Sequence, residues 1–461
     1  MADRPIEKFI EQVASTPAKA LDKAATATEQ LAEAITKQKP LQGAEDFWHG
    51  LGPGLTTGAS DDDPSGIATY SQAGAGYGNQ LLWLAPLTFP FMAIVQEMCA
   101  RIGLVTGRGL AANVRLHYPK SILYLCTVLL LIANIFNIGA DLGAMAKGVQ
   151  LLAPGLSFGL LVLFFTVASL LMQVFINYAK YAKYLKYLAF VLLAYILTAF
   201  TVKDFNWLAV AQATFHPSLS LSRDQIFLIC GILGTTISPY LFFWQTSQEV
   251  EEQIADGKMT IASRRGTNPA ELKKMRLDVW SGMFLSNVVM FFIIAVCAAT
   301  LFKHGITNIA TAADAATALR PLAGEGAYLL FAIGIIGTGL LGVPVLAGSS
   351  AYALSESFGW RNGLFRKIGD ASAFYGIIII SMLAGFAMNF IGLDPMKALI
   401  YSAILNGLVA PMVLILIIQI ASNPKVMGEW TNHRAVTALG WFITIAMILA
   451  GLATIISLFV K

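Results

Sequence analysis

Asp61-Asp62-Asp63-Pro64-Ser65-Gly66 interrupts a segment, Leu51 to about Tyr77, that is otherwise apolar enough to cross a bilayer. Each ionised carboxylate near the centre of a membrane costs roughly 2.5 to 3.5 kcal/mol on insertion scales. Three in a row, beside a helix-breaking proline and glycine, form a defect that a purely structural helix has no reason to carry. A proline inside a spanning helix frees backbone carbonyls. Carbonyls and carboxylates at mid-membrane depth are the ligands a hard cation needs once it sheds water. The stretch reads as the ion site of a transporter.

The rest of the chain agrees with that setting. Of 461 residues, 56% are hydrophobic and only 13% charged, which excludes an ordinary soluble enzyme. Apolar runs of roughly 20 residues recur from Leu51 onward and leave no room for a separate soluble domain. Eleven spans can be drawn, over 49–77 with the central break, 80–103, 121–152, 156–177, 182–202, 223–250 with a second break, 277–302, 323–354, 370–391, 396–420 and 435–460. Cys99, Cys126, Cys230 and Cys297 fall inside these spans rather than at CxxC spacing, so neither a disulfide framework nor a zinc site is expected. Residues 1–48 are polar, lack the apolar core of a secretory signal and read as a cytoplasmic extension. Ile6, Phe9, Ile10 and Val13 within it have the helical spacing of a surface-lying helix.

Cations set the orientation. Arg101, Arg108, Arg115 and Lys120 follow span 2, Lys180, Lys183 and Lys186 follow span 4, and a run from Lys258 to Arg276 follows span 6. Arg361, Arg366 and Lys367 follow span 8, and Lys425 and Arg434 follow span 10. The opposite loops hold chiefly Lys147, Lys203, Lys303, Arg320 and Lys397. The positive-inside rule then puts the amino terminus in the cytoplasm and Lys461 outside an inner, plasma-type membrane. Glu249, Glu251 and Glu252, at the inner end of span 6, read as a solvated acidic run beside these basic residues.

The second break is Gly234-Thr235-Thr236-Ile237-Ser238-Pro239-Tyr240, five spans after the first. Interrupted helices in corresponding positions of two five-span halves are the mark of an inverted-repeat transporter whose site forms where the breaks meet. The halves are expected over 49–202 and 203–420, with an eleventh helix and its preceding loop over 421–461.

Several motifs carry a family resemblance. Gly52-Pro53-Gly54 followed by Asp63-Pro64-Ser65-Gly66 resembles the GPG and DPGN of the first helix of Nramp divalent-metal transporters. Gln96 to Ala111, with Arg101-Ile102-Gly103-Leu104-Val105-Thr106-Gly107, resembles the family's QxxxARLGxVTGxxLA stretch. Gly139-Ala140-Asp141-Leu142-Gly143 is similar to its ATDLAE segment, and Gly234 to Pro239 to its GATVMPH. The likeness spans about residues 50 to 420 and implies an all-α polytopic membrane protein of about eleven transmembrane helices, a LeuT-like 5+5 inverted repeat with helices 1 and 6 broken. It also implies divalent cations as substrate, a lipid bilayer as surroundings, and neither a cofactor nor a nucleic-acid partner.

The chain departs from the family pattern at informative places. The DPGN asparagine falls on Gly66, the sixth-helix methionine on Ser238, and the histidine two residues further on Tyr240. A thioether favours softer metals such as Mn²⁺, Fe²⁺ and Cd²⁺, whereas a hydroxyl is small and hard. A wider, all-oxygen site suits Mg²⁺, which keeps several of its waters. The combination resembles the Nramp-related magnesium transporter branch, with Mn²⁺ also accepted. The third-helix glutamate falls on Ala144, and His49, His117, His216, His304 and His433 all lie away from span cores, so uptake without proton coupling is expected.

The resemblance assigns Asp63 as the metal-binding carboxylate and the main chain of Ser60 and Thr235 as oxygen donors. Asp61 and Asp62 follow as further acids, though residues on one turn cannot all face one point. Gly66, Thr236, Ser238 and Tyr240 complete the breaks, and Asn406 is an amide at membrane depth in span 10. The alternatives are a proton-coupled Mn²⁺ or Fe²⁺ transporter of the same family and a Na⁺-coupled organic-solute symporter of the same fold. Three acids in the first break would repel the carboxylate that such a symporter binds. No HExxH, GxSxG or P-loop points to a membrane enzyme.

Overall fold

The computed structural model describes residues 51–176, 178–202, 205–220, 222–309, 315–316, 319–320, 324–392 and 395–459. The extension over 1–48 with its surface-lying stretch, His49, Lys203 and Lys461 lie outside the described residues. Among those described there are helices and no strands.

The first expected span is two helices, α1 (Pro53–Asp61) and α2 (Pro64–Tyr77). Then come α3 (Leu84–Thr106), the short α4 (Leu110–His117), α5 (Lys120–Leu152) and α6 (Phe158–Phe175). A fifth span is formed by α7 (Tyr178–Leu188) and α8 (Leu193–Thr201), with α9 (Trp207–Phe215) beyond it. The second broken span is α10 (Arg223–Thr236) and α11 (Pro239–Ala255), and α12 (Ile261–Arg264) leads to α13 (Pro269–Thr300). α14 (Glu325–Phe358), α15 (Ser372–Met388), α16 (Pro395–Ala421), the short α17 (Pro424–Met427) and α18 (Arg434–Phe459) complete the chain. Nine segments among the described residues are long and apolar enough to cross a membrane. The broken α1–α2 pair and the 17-residue α15 bring the set to the eleven spans read from the sequence, with edges within about five residues of those expected except that α13 begins eight residues earlier, at Pro269.

The polarity is inverted relative to a water-soluble protein. Leu160, Phe164 and Phe175 on α6 and Leu449 and Ile456 on α18 are exposed, where acyl chains cover them, while Asp61, Asp62 and Asp141 have 0% exposure. With no hydrophobic drive between helices in lipid, close packing and interhelical hydrogen bonds hold them together. Glycines allow that packing at two crossings. A Cβ on Gly54 would stand 2.5 Å from the Val279 nitrogen, and Cβ atoms on Gly58 and Gly282 would strike the backbone of the facing helix, so α1 lies directly against α13. Gly234 of α10 meets the Ala403 carbonyl and Gly407 of α16 in the same way. Met92, Ala93, Ala100 and Leu104 of α3 pack with Met275, Val279 and Met283 of α13 in a buried cluster.

The foot of α1 explains Gly52-Pro53-Gly54. Asp278 of α13 accepts hydrogen bonds from the N–H groups of Gly52 (2.8 Å), Gly54 (2.7 Å) and Leu55 (3.0 Å). Pro53 has no N–H to satisfy, and a carboxylate suits the positive end of the helix.

Two sequence expectations are corrected. Glu249 and Glu251 are buried rather than solvated: Gln245 donates to Glu249, and the Tyr352 hydroxyl and the Leu364 and Phe365 N–H groups donate to Glu251. A buried carboxylate costs little when donors surround it: that of Glu249 comes from its own helix, and those of Glu251 from segments far away in sequence. Arg101 and Arg264, counted among loop cations, are also buried, Arg101 against Asn432 and Arg264 against the carbonyls of Gly107, Lys258 and Met259.

Because the α1–α13 crossing has no room for a side chain, Gly58→Val is expected to destabilise the protein by about 1 to 3 kcal/mol through overpacking. Gly376→Val on α15, where a Cβ meets nothing within 4 Å, serves as the control and should leave the thermal unfolding midpoint in detergent unchanged.

Candidate functional site

The two breaks are built alike. α1 ends at Asp61, Asp62 leaves helical geometry (φ −85°, ψ 46°), and Asp63 (φ −65°, ψ 169°) precedes Pro64, the first residue of α2. α10 ends at Thr236, and Ser238 (φ −81°, ψ 130°) precedes Pro239, the first residue of α11. Proline pushes the residue before it out of the helical region and suits the first helical position, whose N–H is unused anyway.

Asp63 is the centre of the arrangement. Its Oδ1 caps α2, accepting from the Gly66 N–H at 2.9 Å and the Ser65 hydroxyl at 2.5 Å. Its Oδ2 accepts from the Asn137 amide of α5 at 2.9 Å. The Tyr240 hydroxyl of α11 lies 2.8 Å from the Ser60 carbonyl and 3.2 Å from Asp63 Oδ2, so one proton is shared between a main-chain oxygen and a carboxylate. Asn137 is held in turn by the Ser402 hydroxyl of α16, which donates to its Oδ1 at 2.7 Å. Four spans thereby converge on one carboxylate.

The other sequence-derived positions divide. Gly66 joins the breaks: a Cβ there would stand 3.2 Å from both the Asp61 carbonyl and Thr235 Oγ1. Asp61 turns its side chain to α13, with Oδ2 accepting from Ser286 at 2.8 Å. The Ser238 hydroxyl donates to the carbonyls of Gly234 (2.7 Å) and Thr235 (2.8 Å), and that of Thr236 to Ile232 (2.9 Å), so both hydroxyl protons serve their own broken helix. Asn406 is buried in α16, and among the described residues neither of its amide atoms has a hydrogen-bond partner. Oδ1 of Asp61 likewise has none among the described residues, while Asp62 lies beside the Ser286 hydroxyl and Asp141 beside the Ser65 N–H. Gly342 of α14 stands between Asp63 and Asp141, where a Cβ would come within 2.9 Å of the Asp63 Cβ and 3.7 Å of Asp141 Oδ2.

No cluster of three or more His, Cys, Asp or Glu side chains converges as a metal cage among the described residues. The donors around Asp63 are a carboxylate, a carbonyl, a phenolic hydroxyl and amides. Such a set can hold a hard cation only with part of its water still attached.

Residues 54–457 match the sequence model of the Nramp family, described as natural resistance-associated macrophage protein-like. The chain belongs to the Nramp family. A divalent metal cation transporter MntH of Klebsiella pneumoniae subsp. pneumoniae is 27% identical over 404 residues, covering 85% of this chain and 90% of the relative. A solved structure of the Eremococcus coleocola manganese transporter, in complex with an aromatic bis-isothiourea substituted compound, superimposes with a TM-score of 0.68 at 18% identity over 88% of this chain and 86% of that one. Mhp1, a nucleobase-cation-symport-1 family transporter in a closed conformation, gives 0.56 at 14% identity over 88% of this chain and 91% of that one. The fold is therefore the eleven-helix LeuT-like architecture of an integral membrane protein, with helices 1 and 6 broken.

In this Nramp protein three contacts of the site escaped the sequence reading: Asn137, Ser402 and Ser286. Asn137 had a visible sign. Asn134, Asn137 and Asp141 recur at helical spacing in the otherwise apolar α5 and define one polar face. Asn134 uses its amide to bind the Leu346 carbonyl and the hydroxyls of Ser349 and Ser350, joining α5 to α14. Nothing in sequence separates Ser402 and Ser286 from serines that only bond their own helix.

Proposed function

We propose that this Nramp protein moves divalent metal cations across the membrane by alternating access, with Mg²⁺ and Mn²⁺ as cargo and without obligatory proton coupling. One observation carries the reading. Asp61, Asp62, Asp63 and Asp141 are all buried, and no lysine, arginine or histidine forms an ion pair with any of them among the described residues. Buried carboxylates without a counter-charge are costly, and a mobile dication supplies that charge. The names of the Klebsiella and Eremococcus relatives support divalent metal as the class, and manganese within it.

Oxygen chemistry supports Mg²⁺. The partners of Asp63 are hydroxyls and N–H groups with no sulfur among them, and Ser238 stands where the family pattern has methionine. We assign Asp63 as the direct ligand, with the Ser60 and Thr235 main chain, Tyr240, Ser238, Thr236, Asp61 and Asn406 reaching the ion directly or through its waters. Gly66 leaves the space those waters need. The two breaks belong to repeats over 49–202 and 203–420, followed by 421–461, with the amino terminus in the cytoplasm of an inner, plasma-type membrane.

The described histidines, His117, His216, His304 and His433, are all exposed at helix ends or loops, and Ala144 and Tyr240 occupy positions where the family pattern has titratable groups. A divalent cation moving inward gains about 4.6 kcal/mol per 100 mV, twice the roughly 2.3 of one charge, so no second ion is required. A coupled mechanism has one observation in its favour: Asp141 is a buried carboxylate with no ion-pair partner among the described residues.

Asp63→Asn keeps the helix cap, since asparagine caps as well as aspartate, but removes the charge. It should lower saturable Mg²⁺ and Mn²⁺ uptake into proteoliposomes by at least about 100-fold in a monodisperse protein, and wild-type uptake would sink the assignment. Ser238→Met combined with Gly66→Asn brings a thioether and an amide into the gap between the breaks and should shift competition from Mg²⁺ toward Mn²⁺ and Cd²⁺. An unchanged ranking in the double variant would rule out ligand softness as the determinant. A metal gradient without a pH gradient should drive uptake with no change in lumenal pH. Metal-dependent acidification at a fixed ratio to flux would instead place Asp141 on a proton route. Acid should slow uptake in either case, because a protonated carboxylate is a poor ligand.

A further inference from the structure

Away from the helix breaks, a cavity of about 230 Å³ opens between α4, α11, the carboxyl end of α14 and the loop that follows it. Five arginines line it, Arg108, Arg115, Arg264, Arg361 and Arg366, against two carboxylates, Glu251 and Glu356. The arginines come from three separate stretches of chain, so the tertiary fold gathers them.

Most of the guanidinium N–H groups in this wall have no hydrogen-bond partner among the described residues. Glu251 is held by the Tyr352 hydroxyl and two loop N–H groups, and Glu356 accepts from the Ala112 N–H at 3.1 Å and the Ser247 hydroxyl at 3.4 Å. Arg264 is tied to three carbonyls. Arg366 uses only its Nε, on the Asn362 carbonyl, while its guanidinium lies over the Phe365 ring. The side chains of Arg108, Arg115 and Arg361 have neither an ion pair nor a hydrogen bond with the described residues, though Arg115 lies near enough to Glu356 to attract it. The backbone is shaped around them: Gly359 takes a left-handed φ of 73°, and Arg115 occupies the space where its Cβ would be.

We propose that this pocket binds a phosphate-type multivalent anion, held by Arg108, Arg115, Arg361 and the free end of Arg366. Guanidinium groups present paired N–H donors that match phosphate oxygens, and several in one concave site raise the local anion concentration. At about 30 Å³ per water the cavity holds roughly eight waters, enough for one phosphate group but smaller than a drug-sized site. A bound anion bridges α4 to the loop after α14 and neutralises a wall whose charges otherwise repel. The phosphate belongs either to a free phosphate compound or to a lipid headgroup.

The test reads binding, not flux, and so stands apart from the transport reading. In metal-free buffer at constant ionic strength, inorganic pyrophosphate should raise the thermal unfolding midpoint of the full-length protein saturably. The Arg115→Gln/Arg361→Gln double variant should need at least about fivefold more pyrophosphate for half the effect. Native mass spectrometry from mixed micelles forms the second arm, in which retention of phosphatidic acid over phosphatidylcholine, lowered by the same variant, assigns the phosphate to lipid. Saturable pyrophosphate binding without lipid retention assigns it to a soluble compound. Equal responses of wild type and variant in both arms, or no saturable response in either, overturn the site.

Discussion

A proline has no N–H to give. At Pro64 and Pro239 that lack divides two membrane helices at mid-length and leaves unpaired backbone where no water can pair with it. Everything at the centre of the protein answers this shortage. Asp63 caps one half-helix and Ser238 turns its hydroxyl back onto the other, while Tyr240 crosses from the second break to the carbonyl of Ser60 in the first. The tyrosine matters because a hydroxyl in low-dielectric surroundings must find an acceptor, and the one it finds belongs to the opposite repeat. The two breaks are thus joined by chemistry and not only by packing.

Much of this architecture was legible in the sequence because its causes are local. Span positions follow from runs of apolar residues, and the breaks from Asp63-Pro64 and Ser238-Pro239, where a single peptide bond decides the conformation. The glycine crossings were half visible: Gly52-Pro53-Gly54 and Gly234 were noticed as motif members, but their reason, the backbone of α13 and α16 pressed against them, requires the partner helix. Asn137 is illegible in the sequence for the same reason, since its value comes from Asp63 on one side and Ser402 on the other. Glu249 and Glu251 were misread because adjacent charges in a sequence look solvated, whereas their donors come from α11's own interior face and from a loop more than a hundred residues away.

The interior carboxylates and the arginine-lined cavity are complementary facts about the same molecule. In one place negative charge is enclosed without a counter-ion, and in the other five arginines are gathered against only two carboxylates. A soluble protein would let water settle both accounts. Within apolar helices the first cannot be settled that way, which is why Asp61, Asp62 and Asp141 weigh more in a functional reading than any surface ion pair such as Lys258–Glu271.

The foot of α1 has a mechanical consequence. Its three free amides all end on one side chain, Asp278, and the glycines above it forbid any gradual sliding along α13. Asp278, which gathers the amides at the start of α1, lies one residue before Val279 and four before Gly282, so the cap and the close crossing form one contiguous seat for that helix, apart from the ion site.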